Sequence, residues 1–162
     1  MNWAVQKLTI PPPAPIAAGM ARLVMENLAG AWSDQTLQEI LQQPTSFGFF
    51  TTAQEQVVAF ILGRYLAERE AEILAMATMR GYQRRGIARQ LLQTTLIANA
   101  GRCVYLEVAA DNPGAEALYA QCGFVAYDRR PQYYLRTPGP RVDAVLMRYA
   151  PEWGPEWGLE SE

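Results

Sequence analysis

Glu107 breaks an otherwise apolar run, Cys103-Val104-Tyr105-Leu106-Glu107-Val108, that reads as a strand buried on both faces. An unpartnered carboxylate is expensive to bury, so Glu107 either faces a wet cleft or meets a cation. Two roles are open to it: a salt bridge with Arg130 or Arg136, or general-base work in a partly desolvated cleft. Tyr119 follows twelve positions later on a helix, where a tyrosine is either a core ring with a satisfied hydroxyl or a proton donor. Upstream of both lies a basic turn, Gln83-Arg84-Arg85-Gly86-Ile87-Ala88, between an apolar strand (73–79) and a helix carrying Ile87, Ala88, Leu91, Leu92, Thr95 and Leu96 on one face. Free N–H groups and the positive dipole end at a helix start attract anions, and Gly86 lets a phosphate approach the backbone. The turn reads either as a pyrophosphate site or as a solvated arginine pair. Neither the P-loop spacing nor the dinucleotide Gly-x-Gly-x-x-Gly is present.

The residue types that are missing narrow the chemistry. The chain has no histidine, which removes Ser-His-Asp and Cys-His nucleophilic systems and argues against a zinc site, so no metal is expected. Its single lysine, Lys7, lies near the amino terminus, leaving carboxylate and tyrosine for proton transfer. Cys103 and Cys122 sit on apolar faces and read as small core residues rather than a redox pair.

The elements that must position these groups follow from periodicity and punctuation. Residues 4–10 have strand character and end at Pro11-Pro12-Pro13. Residues 16–28 predict a helix closed by Ala29-Gly30, and a second helix capped by Ser33 or Asp34 runs to Pro44. Strands at 47–52, 56–67 and 70–79 predict an antiparallel meander, with the apolar 57–62 run at its centre. The helix 86–100 then crosses to the Glu107 strand, which places the two flanking strands parallel. Asn112 caps a further helix with Pro113 at its first position, and Gly123 ends it. Strands at 124–127 and 142–149 complete the sheet, joined through 129–134 and a Pro/Gly turn at 137–140. The expected fold is a mixed, mostly antiparallel sheet of about seven strands with about four helices on its faces.

A length of 162 residues with 50% hydrophobic content suits one domain, over 1–150, followed by a tail (151–162) that repeats Pro-Glu-Trp-Gly. A net charge of −2 supplies no field for general nucleic-acid binding. No apolar stretch is long enough to span a bilayer and the start lacks a signal pattern, so a cytoplasmic location is expected.

The order of these elements, together with Gln83-Arg84-Arg85-Gly86-Ile87-Ala88, Leu106-Glu107-Val108, the Asp111 to Tyr119 segment and Cys122-Gly123-Phe124, resembles the GNAT superfamily of acetyl-CoA-dependent N-acetyltransferases. Trp32-Ser33, Arg129-Arg130 before Tyr133-Tyr134, and Asp143-Ala144 make the chain most similar to its RimI-like branch, the alanine N-acetyltransferases of a small-subunit ribosomal protein. The resemblance covers 8–149. It implies a general base at Glu107, a general acid at Tyr119, and acetyl-CoA held by Met76, Ala77 and Thr78, by the turn Arg84, Arg85, Gly86, Ile87, Ala88 and Arg89, and by Asn112. Tyr133, Tyr134 and Asp143 are the expected acceptor wall, with core packing equally open to the two tyrosines. The implied reaction is direct acetyl transfer in a ternary complex to a protein amino terminus, with alanine of a ribosomal protein favoured. A small-amine acceptor (polyamine, antibiotic or amino acid) and a non-catalytic acetyl-CoA-binding module are the alternatives. The chain departs from the family pattern at Ala109, where a basic residue is common, at Asp111, where serine is common, and at Met79-Arg80-Gly81.

Overall fold

Residues 2–28 and 31–151 are described in a computed structural model of the chain. The closure expected at Ala29-Gly30 and the Pro-Glu-Trp-Gly tail over 152–162 lie outside the described residues. The element order is β1 (Val5–Lys7), α1 (Ala14–Asn27), α2 (Asp34–Gln42), β2 (Ser46–Ala53), β3 (Gln56–Ala67), β4 (Glu70–Thr78), a 3-10 turn (Arg80–Tyr82), α3 (Ile87–Ala98), β5 (Cys103–Ala109), α4 (Pro113–Gln121), β6 (Val125–Tyr134) and β7 (Val142–Tyr149). The seven strands form one sheet in the order β1-β2-β3-β4-β5-β7-β6. Every neighbouring pair is antiparallel except β4 with β5. The fold is the mixed sheet with four α-helices that the sequence predicts.

Capping agrees with the sequence at both polar helix starts. The Ser33 hydroxyl accepts from Thr36 N–H and the Asn112 side chain from Ala115 N–H, each satisfying a donor the helix leaves free. The helix expected from residue 16 begins two residues earlier, because Pro15 is accommodated in the first turn, where no intrahelical N–H is needed.

Each sheet face carries its own core. Leu8, Met20, Leu23, Leu37, Phe60 and Leu62 pack beneath α1 and α2. Ile61, Leu91, Leu92, Val104, Leu106 and Tyr119 pack with α3 and α4 on the other face. β4 contributes to both because its facing switches partway. The register passes from Gly63↔Ile73 to Leu62↔Ala75, so Leu74 is an extra residue, and a bulge there puts Ile73 in one core and Ala75 in the other. Gly63 stands beside this bulge, where a Cβ would lie 2.5 Å from the Phe47 ring and 2.7 Å from Glu72 O.

Past the bulge, the parallel neighbours part. β4 and β5 are paired at Glu70↔Cys103, Ala71↔Val104 and Glu72↔Tyr105, yet β4 continues to Thr78 and β5 to Ala109. Residues 73–78 and 106–109 therefore border an opening in the middle of the sheet. α4 closes over one face of it, and β6–β7 flanks β5.

The sixth strand is longer than its sequence suggests. Residues 129–134, expected as a connection, belong to β6, which runs through Pro131. Proline is tolerated because β6 is the sheet edge among the described residues, with β7 on its other side. The register jumps from Arg130↔Ala144 to Tyr134↔Val142, with Gln132 at φ 51°, so three residues bulge out opposite Asp143. Asp143 satisfies that bulge: its carboxylate accepts from Gln132 N–H at 2.9 Å and from the Arg129 guanidinium at 3.2 Å. The first strand is shorter than expected, Val5–Lys7, since the turn into the prolines leaves Leu8 one further bond, from its N–H to Gly48 O.

Candidate active site

The opening between β4 and β5 is bordered by two hollows. The larger, about 650 Å³, is lined by Met76, Ala77, Thr78, Arg84, Gly86, Ile87, Ala88, Arg89 and Asn112, nine of the ten residues expected to hold acetyl-CoA. Arg85 is the tenth. Its guanidinium lies 5.1 Å over the ring of Tyr82, which lines the cleft itself.

Local backbone makes this cleft receptive to an anion. Arg84 and Gly86 both adopt left-handed φ values, 60° and 80°, the conformation found where a turn offers backbone N–H groups to an anion. Among the described residues no side chain caps α3, so the first N–H groups of that helix face the cleft without a side-chain partner. A Cβ on Gly86 would meet nothing within 4 Å, so the glycine is there for its φ rather than for space. Gln83 donates to Thr78 O at 3.1 Å and ties the turn to the end of β4. The cleft's size falls within the range usual for cofactor sites. These features fit a pyrophosphate-bearing ligand.

The smaller hollow, about 290 Å³, lies on the other side of the opening and contains Glu107. Glu70 and Glu72 from β4, Tyr105 and Glu107 from β5, Tyr127 and Arg130 from β6, and Leu146 from β7 line it. Strand alternation sets this arrangement: Leu106 and Val108 join the α3/α4 core, so Tyr105 and Glu107 face the opposite way. Arg130 Nη1 lies 3.0 Å from Glu107 Oε1, with the two side chains 53% and 23% exposed. Arg64 pairs with Glu72 at 2.9 Å, and the Tyr105 hydroxyl donates to Glu70 at 3.4 Å. Of the two arginines considered for Glu107, Arg130 is its partner, while Arg136 forks onto Asp111.

Tyr119 lines neither hollow; it is a buried member of the α3/α4 core, edge-on to Phe124 at 5.8 Å. Burial pushes its hydroxyl up to about 12, with the neighbouring Tyr134 adding to the effect. Tyr134 is half-buried at the end of β6 and is also pushed up to about 12, by burial first and then by the Glu107 charge. Tyr134 therefore lies within electrostatic reach of both Tyr119 and Glu107. Tyr133 is exposed, perpendicular to Tyr134 at 5.1 Å and covered by Arg130 at 5.5 Å. Asp143, expected beside these tyrosines, holds the bulge that presents them.

Sequence reasoning left out several residues of both hollows. Ala115 and Leu118 line the larger one at steps of three from Asn112, a signal readable from the cap, and Gly114 lines it beside them. Glu70 and Glu72 alternate with Ala71 and Ile73, a readable one-face pattern on β4. Tyr127 carries no such signal: it falls at a register shift of β6 against β7, between Ala126↔Met147 and Asp128↔Leu146, which only the sheet sets.

With the geometry in place, comparison with known proteins adds the family. The model of the acetyltransferase (GNAT) family matches residues 17–124. A [ribosomal protein bS18]-alanine N-acetyltransferase of Escherichia coli is 34% identical over 119 residues, covering 72% of this chain and 78% of that protein. The N-alpha-acetyltransferase RimI of Mycobacterium tuberculosis is 43% identical over 79 residues, 49% of this chain and 48% of that one, so the chain spans about half of that relative's length. The crystal structure of the ribosomal-protein-S18-alanine N-acetyltransferase from Escherichia coli superposes with a TM-score of 0.83 at 25% identity, covering 97% of this chain and 99% of that one.

Proposed function

The chain belongs to the acetyltransferase (GNAT) family, and from that premise we propose that it moves the acetyl group of acetyl-CoA directly onto a primary amine, in a ternary complex in the cytoplasm. The favoured acceptor is the amino-terminal alanine of a ribosomal protein, the acceptor named for the E. coli relative. The observation that carries this reading is the parting of β4 from β5, which sets Met76–Thr78 and Glu107 on the two sides of one opening, with a cleft beyond one and a groove beyond the other.

Acetyl-CoA supplies an activated acyl thioester when bound. The turn Arg84–Arg89 holds its pyrophosphate, Asn112 and the first turn of α4 contact the pantetheine arm, and the end of β4 receives the acetyl end. Every second N–H of 73–78 points away from β3 and has no β5 carbonyl to meet, so it can stabilise the charge that develops on the carbonyl oxygen. An α-amino group titrates at about 8 and is mostly protonated at neutral pH. Glu107 takes that proton, directly or through a water, before the amine attacks. Tyr119, whose raised value keeps its hydroxyl protonated, returns a proton to the departing sulfur. Tyr133 and Tyr134 form the acceptor wall, carried on the bulge that Asp143 secures.

Incubating the purified protein with acetyl-CoA and a panel of Ala-, Ser- and Met-starting peptides plus polyamines, followed by mass spectrometry, tests the reading. One acetyl group on the α-amine of an Ala-starting peptide is the expected product. Acetylated polyamine alone would keep the transfer and discard the acceptor. Binding of acetyl-CoA without any product would favour the non-catalytic module.

A further inference from the structure

Asp111 stands where the family commonly has serine, and the structure gives it a specific use. Arg136 Nε and Nη2 donate to Asp111 Oδ2 and Oδ1, both at 2.8 Å, in a planar two-point fork. The same guanidinium lies 5.6 Å over the ring of Tyr134, and its Nη1 donates to Leu135 O at 3.1 Å. One arginine thus engages a carboxylate, a ring and the preceding residue's carbonyl at once.

The two ends of this fork belong to different parts of the site. Arg136 lies in the loop 135–141, which begins where the β6–β7 ladder ends at Tyr134↔Val142. Asp111 lies in the β5–α4 turn, one residue before the Asn112 cap, and the start of α4 lines the larger cleft through Gly114 and Ala115. Glu107 is four residues before Asp111 on the strand that feeds this turn. We propose that the Asp111–Arg136 pair is a strap that fastens the acceptor-side loop to the cofactor-side turn and thereby sets the position of the Tyr134 ring, on which the Arg136 guanidinium lies.

The proposal rests on the acetyl-transfer reading for the names of the two sides, and on the fork itself for the coupling. Arg136 and Asp111 are positioning residues acting through Tyr134; neither lines a hollow. Both side chains are partly exposed, 38% and 45%, so the pair is expected to bias a loop rather than hold the fold together. Lysine cannot replace Arg136, because a point charge supplies neither the fork nor the flat face that lies on Tyr134.

The test uses Asp111→Asn, Arg136→Met, Arg136→Lys and the Asp111→Asn/Arg136→Met double variant in the full chain. Amide hydrogen exchange over 133–142 should quicken about 5-fold in each single variant, the upper end of what an exposed, well-oriented ion pair supplies. The acceptor KM should rise by a similar ~5-fold factor, with kcat, the acetyl-CoA Kd and the melting temperature nearly unchanged. The double variant should be no worse than either single one, since each removes the same contact. Unchanged exchange in the single variants, additive losses in the double, or full function in Arg136→Lys would overturn the strap. If the wild type acetylates no amine, the transfer reading falls, and the exchange data still decide whether the strap exists.

Discussion

Arg130 Nη1 stands 3.0 Å from Glu107 Oε1 across the floor of the smaller hollow, so the carboxylate read as the base already holds a cation. An incoming ammonium must share or replace that contact. Arg130 also lies over the face of Tyr133 at 5.5 Å, a contact that remains to hold it when its grip on Glu107 is released. The pair is half-exposed on the arginine side, so its strength is modest and exchange with a substrate cation is inexpensive.

Glu107→Gln should lower turnover by roughly 10²-fold, the usual effect of losing one acid–base group. The amide keeps an oxygen for Arg130, and the larger cleft contains no atom of residue 107. Calorimetric titration with acetyl-CoA should therefore give a Kd close to that of the wild type. Turnover within a few-fold of wild type would remove Glu107 from the base role.

Arg130→Met keeps the aliphatic stem and removes the cation that competes for Glu107. The acceptor KM should fall by up to ~5-fold with kcat nearly constant, because an exposed pair of this kind is worth about 1 kcal/mol at most. Steady-state rates with the best peptide of the panel decide it; a rise in KM would mean that Arg130 binds the acceptor rather than competing with it.

Tyr119→Phe removes a hydroxyl while leaving a ring to pack against Phe124 and Leu106. The transfer step should slow by roughly 10²-fold, with near-unchanged thermal stability at pH 7. Alkaline pH gives an independent check. Tyr119 is raised from 10.0 to about 12 by burial, so the folded protein holds that proton when the unfolded chain has lost it. The stabilisation is complete below pH 10 and is lost as pH rises towards 12. Tyr119→Phe should make the fall in melting temperature between pH 10 and 12 shallower than in wild type, and an identical fall would contradict the burial argument.

Gly86→Ala places a Cβ on a residue with φ 80° where no neighbouring atom opposes it. The cost is conformational, about 1–2 kcal/mol for an L-residue in the left-handed region. Chemical denaturation should register that loss. Acetyl-CoA binding should weaken more than stability alone accounts for, since relieving the strain at residue 86 shifts the backbone N–H groups of the turn; an unchanged Kd would place the pyrophosphate elsewhere.

Most of the larger cleft was legible in the sequence because it is local. A strand, a glycine turn and a helix start are contiguous from Met76 to Arg89, and the Asn112 cap announces itself by residue type and the following proline. Chain continuity and backbone hydrogen bonding suffice to bring such residues together. Glu107 was legible for a different reason, as a charge in a strand that should not tolerate one.

The smaller hollow was decided by the sheet. Its walls come from β4, β5, β6 and β7, and which residues meet there depends on register: Glu72↔Tyr105 and Glu107↔Leu146 are cross-strand neighbours that no sequence spacing encodes. The edge position of β6 carried the strand through Pro131, the bulge drew Asp143 into holding backbone, and the choice between Arg130 and Arg136 for Glu107 followed from where that bulge turns the chain. The sequence alone determined the element order, the two polar helix caps and the glycine turn between β4 and α3, all consequences of local propensity and hydrophobic period. Only the tertiary structure settled the pairing of charges and the meeting of the two hollows at one opening, because both arise from strands that are distant in the chain and adjacent only after the sheet has formed.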